Sequence, residues 1–201
     1  MTEQIRVGVL ISGRGSNMLA LSEHKRRDPE RTYKLGLVAS NVPEARGLVL
    51  AKRLGIPTWA QSHEGMKRAE FDALLDAQLE AQEIEIIALA GYMRLLSPGF
   101  VDKWEGRILN IHPSLLPLHK GLDTHQRAIL AGDEYGGCSV HVVTPDLDSG
   151  PVIAQAKVKI LPRDDAESLA ERVLEEEHRL YPLALEEYCR AVREMEADPE
   201  G

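Results

Sequence analysis

Cysteine is nearly missing from the chain: Cys138 and Cys189 are the only two among 201 residues, and they stand far apart. That rules out a disulfide framework and the close cysteine pairs of a zinc site, and it suits a reducing compartment. Long hydrophobic runs are missing too. No stretch approaches the ~20 apolar residues that span a bilayer, and the opening Met-Thr-Glu-Gln-Ile-Arg lacks the pattern of a secretory signal. A cytoplasmic protein with no membrane partner is expected. Basic residues are in deficit, 24 Lys and Arg against 32 Asp and Glu for a net charge of -8, which argues against a nucleic-acid partner and for small-molecule substrates. A phosphorylated substrate stays open, because backbone N–H groups at a helix N-terminus hold phosphate without a basic surface. Repeats and low-complexity linkers are absent. With 43% hydrophobic and 28% charged residues, the chain reads as one domain over residues 1–201. No pattern in it separates a monomer from a homodimer.

What is present alternates between strand and helix. Ile5 to Ile11 is an apolar run that feeds Ser-Gly-Arg-Gly-Ser-Asn17, after which Met18, Leu19 and Leu21 begin a helix that Ser16 or Asn17 can cap. Leu35 to Ala39 predicts a second strand, Pro43 to Leu54 a helix, Pro57 to Ala60 a short strand, and Lys67 to Gln82 a helix with Phe71, Leu74, Leu75 and Leu79 inward. Ile84 to Ala90 and Ile108 to His112 read as strands covered on both faces, with Gly91 to Gly99 a loop between them. A helix over Thr124 to Ala131, capped by Thr124, is followed by strands at Val140 to Val143 and Val152 to Ile160. Asp165 to Glu194 predicts a long helix through Leu169, Val173, Leu180 and Leu183 that Pro182 should kink or divide. The fold expected is α/β: a Rossmann-like open sheet, mostly parallel, with helices on both faces.

Two strand ends carry the candidate chemistry. Gly13-Arg-Gly-Ser-Asn17 is half of a dinucleotide fingerprint, but Met18 replaces the third glycine and the second strand ends in Ser40-Asn41 without an acidic residue. It also lacks the Lys-Ser/Thr ending of a P-loop. A monophosphate site at Gly15, Ser16 and Asn17 and a plain strand-to-helix turn both fit. Asn110 and His112 lie two apart, so a strand points them to the same face, and Pro113 then leaves the ladder. They form either a joint amide–imidazole site or a turn cap beside a core histidine. No Gly-x-Ser-x-Gly elbow occurs, and His119, His125 and His141 have no zinc spacing, so no metal is expected. An amide donor and an ionisable ring without nucleophile or metal suit acyl transfer to an external amine. A non-catalytic nucleotide-binding module would explain the glycine loop but leave Asn110 and His112 without a joint purpose.

Ser12-Gly-Arg-Gly-Ser-Asn17, Asn110-Ile-His-Pro-Ser-Leu-Leu-Pro117 and Leu147-Asp-Ser-Gly-Pro151 together resemble the formyltransferases that use 10-formyltetrahydrofolate. The resemblance extends through Ala90-Gly-Tyr-Met-Arg-Leu-Leu-Ser97 and Glu177-His-Arg-Leu-Tyr-Pro182, so it covers nearly the whole chain. It implies formyl transfer from the folate, as co-substrate, to the amino group of glycinamide ribonucleotide in purine synthesis. By the same resemblance Asn110, His112 and Asp148 form the catalytic trio, with the Asp148 charge favouring an imidazolium at His112. Gly15, Ser16 and Asn17 would hold the ribonucleotide phosphate and Glu177 its ribose or amino end. Met93, Arg94, Leu96, Thr144 and Asp148 would form the folate side. The N-terminal half would then serve the ribonucleotide, and the C-terminal half folate binding and catalysis. Leu174 stands where some relatives place a polar residue against the phosphate, and His141 and Ser114 read as structural.

The rivals with the same motifs are methionyl-tRNA formyltransferase, which carries a basic tRNA-binding domain, and formyltetrahydrofolate hydrolase, which carries a regulatory N-terminal domain. A chain of 201 residues that begins at its first strand and ends in the acidic Glu194-Met-Glu-Ala-Asp-Pro-Glu-Gly201 fits neither expectation.

Overall fold

Alternate residues of the first strand, β1 (Ile5–Ile11), go to opposite layers, and that single alternation lays out the fold. Val7, Val9 and Ile11 join one apolar cluster with Met18 and Leu21 of α1 (Ser16–Arg27), Leu48 and Ala51 of α2 (Arg46–Arg53), and Val173 and Leu185 of α6 (Ala166–Ala197). Leu10 joins a second cluster with Phe71, Leu75 and Leu79 of α3 (Arg68–Ala81), Phe100 and Val101 of α4 (Pro98–Lys103), and Trp104 just after that helix. Helices therefore cover both faces, as a strand that is apolar at nearly every position requires. The computed structural model describes residues 4–197.

The remaining strands are β2 (Tyr33–Ser40), β3 (Thr58–Ala60), β4 (Ile86–Leu89), β5 (Ile108–His112), β6 (Tyr135–Val142) and β7 (Val152–Lys159), with α5 (Thr124–Ala131) between β5 and β6. They form one sheet in the order β3-β2-β1-β4-β5-β6-β7. The first five are parallel, and β6 and β7 are added antiparallel. The chain leaves β1 toward β2 and β3, then returns to the other side of β1 at β4. The carboxyl ends of β1 and β4 thus diverge around a crevice, the place where open α/β sheets bind ligands.

Several expectations need correcting in detail. The loop expected over Gly91 to Gly99 ends in the first turn of α4, which Ser97 and Pro98 announce as N-cap and first helical residue. β6 starts five residues before Val140, because Gly136 and Gly137 lie inside the strand. A side chain on Gly137 would run into the Ala156 carbonyl of β7, so the glycine permits strand contact and marks no turn. Neither Ser16, Asn17 nor Thr124 caps a helix: the cap positions are Gly15 and Asp123, both left-handed and without a side-chain bond. Leu74 and Leu183 are exposed. Pro182 does not divide α6, which runs unbroken for 32 residues. Leu169, Val173, Glu177, Tyr181, Leu185 and Cys189, spaced four apart, form its buried seam.

Candidate active site

The crevice is a cleft of about 980 Å³ at the carboxyl ends of β1, β4 and β5, and every residue expected at the catalytic, ribonucleotide or folate site lines it. Asn110 and His112 come from β5, Gly15, Ser16 and Asn17 from the β1–α1 turn, and Glu177 from α6. Met93, Arg94 and Leu96 come from the loop after β4, and Thr144 and Asp148 from the β6–β7 loop. Tyr181, fully buried on α6, fixes the floor: its hydroxyl reaches the Leu89 carbonyl of β4 at 3.0 Å and the Leu109 carbonyl of β5 at 3.2 Å. The strands are thereby tied together next to Asn110.

At the β5 end, side chains hold one another. His112 Nδ1 lies 3.5 Å from Asp148 Oδ2, the distance that the sequence left open. The Gly121 N–H donates to the same carboxylate oxygen at 2.9 Å. His112 Nε2 is 3.1 Å from the His119 carbonyl, which can only accept, so Nε2 carries the hydrogen. Asn110 pairs with His141 across the β5–β6 ladder, and its Nδ2 lies 3.1 Å from His141 Nε2. His141 Nδ1 donates to the Val142 carbonyl at 3.0 Å, which leaves Nε2 to accept from the amide. One Asn110 N–H is thus spent on orientation and the second stays free.

Burial sets the protonation. It pushes the His112 pKa down, and the His119 carbonyl and the Asp148 charge only partly offset it, so the resting imidazole is neutral at neutral pH. This corrects the expectation of a raised value: the Asp148 charge acts upward, but desolvation outweighs it. For Asp148 burial pushes upward, and His141, the Gly121 N–H and His112 together outweigh it and lower the carboxyl below its usual value. Asp148 is a carboxylate in a left-handed turn, with φ of 47°. His119 and Asp123, at 51° and 56°, adopt the same uncommon conformation nearby.

At the β1 end, backbone dominates. Gly15, with φ of 77°, packs so tightly that an added Cβ would lie 2.7 Å from the Gly47 Cα of α2. The first N–H groups of α1 have no partners within the helix and sit at its positive end. Asn17 Nδ2 donates to Glu177 Oε2 at 2.7 Å, so the side chain expected as a possible helix cap instead holds a carboxyl 160 positions away. Burial raises the Glu177 pKa, and the Asn17 bond offsets part of that. Leu174, one turn earlier on α6, adds only apolar surface to the cleft wall.

On the third side, the Met93 N–H is held by Ser12 Oγ at 2.7 Å, which leaves an exposed thioether over the opening. The Arg94 guanidinium sits 5.0 Å from the Phe71 ring centre and 3.1 Å from His63 Nδ1, committed to the scaffold. Leu96 packs on the α3–α4 cluster, and the Thr144 hydroxyl donates to the Asp146 carbonyl at 3.3 Å.

Comparison with known proteins shows the family of the chain. The formyl transferase profile matches residues 5–185. The chain belongs to the formyl transferase family. Phosphoribosylglycinamide formyltransferase of Escherichia coli is 42% identical over 186 residues, 90% of this chain and 85% of that protein. The trifunctional purine biosynthetic protein adenosine-3 of Homo sapiens is 45% identical over 185 residues, 92% of this chain, which spans only 18% of that relative's length. A crystal structure of phosphoribosylglycinamide formyltransferase from Brucella melitensis superposes with a TM-score of 0.88 at 48% identity, covering 93% of this chain and 96% of that one.

In this formyl transferase, sequence reasoning missed His141. A single histidine in a strand carries no signal, and only the antiparallel register shows that it faces Asn110. Ser114 is structural as expected, donating to the Leu118 carbonyl at 2.7 Å. Burial raises the Cys138 thiol to about 12, which removes it as a nucleophile.

Proposed function

We propose that this formyl transferase moves the formyl group of 10-formyltetrahydrofolate to the amino group of glycinamide ribonucleotide, a step of purine synthesis, with Asn110, His112 and Asp148 as its catalytic residues. The observation that carries the reading is the placement of those three side chains in one contact cluster, between a helix N-terminus suited to phosphate and an apolar loop suited to a flat ring. The ribonucleotide phosphate sits on the N–H groups of Gly15, Ser16 and Asn17. Glu177, turned into the cleft by Asn17, receives the ribose or amino end. The folate lies against Met93 and Leu96, with Arg94 and Thr144 contributing backbone groups at its edge.

The neutral state of His112 gives the order of proton movements. As the amine attacks the formyl carbon, His112 Nδ1 takes the proton that the nitrogen loses. The imidazolium so formed is stabilised by Asp148 at 3.5 Å. Negative charge that develops on the formyl oxygen meets the free Asn110 N–H and the new Nδ1–H. When the carbon–nitrogen bond to the folate breaks, His112 returns its proton to the departing N10, so nothing is left over. Binding both substrates in one cleft supplies much of the remaining advantage. No step calls on a metal, and the partners are small molecules in the cytoplasm. Among the described residues, no helix is long and apolar enough to cross a membrane.

Incubating purified protein with the folate and glycinamide ribonucleotide tests the reading. One formylated ribonucleotide per tetrahydrofolate is expected, with rates unchanged by a chelator. Formate released from the folate alone, without a formylated product, would replace it with a hydrolase.

A further inference from the structure

The turn after β5 touches both partners of the catalytic pair from outside. His119 offers its carbonyl to His112 Nε2 at 3.1 Å, and two residues on the Gly121 N–H holds Asp148 Oδ2 at 2.9 Å. Between them, Lys120 Nζ donates to Ser149 Oγ at 2.7 Å, next to Asp148 on the β6–β7 loop. The three residues form a bracket across the gap between His112 and Asp148.

A bracket positions only if it is itself held. His119 has a positive φ of 51°, a conformation that a residue with a Cβ keeps only when its surroundings impose it. What imposes it is visible on the far side: His119 Nε2 lies 2.6 Å from Asp133 Oδ2, just past the C-terminus of α5. Asp133 is fixed in turn by its own N–H, which donates to the Ala128 carbonyl at 3.1 Å. Arg127 of α5 adds a second tie, donating to the Lys120 carbonyl at 2.5 Å. The His119 and Asp133 side chains neither move a proton between the amine, His112 and N10 nor meet the formyl oxygen, so their task is a different one.

We propose that the His119–Asp133 pair is a positioning device for the reaction: it anchors the His119–Gly121 turn to α5 so that the His119 carbonyl fixes the tautomer of His112 and the Gly121 N–H fixes Asp148. The imidazole needs such a device because its two nitrogens are not equivalent here. Only the Nε2–H form leaves Nδ1 bare toward Asp148 and able to take a proton. A shifted His119 carbonyl would let the ring place its hydrogen on Nδ1, which Asp148 favours, and the base would be blocked. The titratable and charged groups around the ring are Asp148, His141 on β6, and Arg127 and His125 on α5. None of these offers Nε2 the acceptor that the His119 carbonyl provides.

The proposal rests on His112 and Asp148 being the reacting pair, so the test reads the bracket both with and without turnover. In substrate-free protein labelled with 15N-histidine, the His112 ring is expected as the Nε2–H tautomer. Asp133→Ala should mix the tautomers and move the His112 titration to lower pH, since the lost carbonyl bond favoured the charged ring. Turnover should fall about tenfold with KM for either substrate within about twofold, the pattern of lost positioning. Asp133→Asn keeps an acceptor oxygen and should recover most of both effects. If Asp133→Ala does not fold, His119→Asn, which tolerates a left-handed backbone but cannot reach Asp133, carries the same comparison. A folded variant whose His112 tautomer and titration match the unmodified protein overturns the proposal. Altered tautomers in a protein that transfers no formyl group would instead overturn the transferase reading and leave the bracket standing.

Discussion

The two ends of the cleft are built from different materials. At the β5 end, Asn110, His141, Asp148 and His112 fix one another through side-chain contacts of 3.1 to 3.6 Å. At the β1 end the working surface is backbone: a glycine turn pressed against Gly47 and the opening N–H groups of α1. The difference follows from what each end must do. A phosphate keeps its charge throughout the reaction, so fixed dipoles suffice. The formyl centre gains and loses charge within one turnover, and there groups must change protonation and still be held in place.

The comparison breaks most visibly if the β5 end is emptied. His112→Ala should reduce turnover by roughly 10²- to 10⁴-fold, and Asn110→Ala by roughly 10²- to 10³-fold. Steady-state kinetics should find KM for the ribonucleotide nearly unchanged in both. A KM that rises in step would mean that the β5 end binds rather than reacts. Gly15→Ala tests the other end. The forced approach to Gly47 and the positive φ should cost about 1–3 kcal/mol of stability, with KM for the ribonucleotide rising more than turnover falls. Thermal unfolding and kinetics together check this, and unchanged melting would contradict the packing account.

The smallest effect lies in pH. Burial lowers His112 and His125 below the ordinary 6.5, so the fold favours their neutral forms. Their contribution to stability is fully present above 6.5 and is lost as pH falls through the lowered values. The acid limb of kcat/KM should likewise lie below 6.5, as measured by a pH–rate profile. A limb above that value would mean that Asp148 outweighs burial after all.

Legibility in the sequence divides along the same line. β1, β5 and α5 have the predicted limits, because apolar periodicity and flanking glycine or proline are local signals. Asn110 and His112 were visible through their spacing on one strand. What stayed hidden depends on contacts between distant residues. Asn17 looked like a helix cap and instead holds Glu177. His141 looked structural until register placed it beside Asn110. The start of β6 at Tyr135 was hidden because the strand that crowds Gly136 and Gly137 comes some 20 residues later. The neutral state of His112 was hidden for a further reason: the Asp148 charge that raises its pKa was implied by the family resemblance, whereas nothing implied the burial that lowers it.

Asp148→Asn tests the division of labour most directly, with binding of glycinamide ribonucleotide measured by calorimetry beside the single-turnover rate of formyl transfer. The side chain keeps its shape and loses the charge that stabilises His112 after proton uptake. The rate should fall at least about a hundredfold, while the dissociation constant stays within about threefold. A dissociation constant that loosens as much as the rate falls would contradict the account.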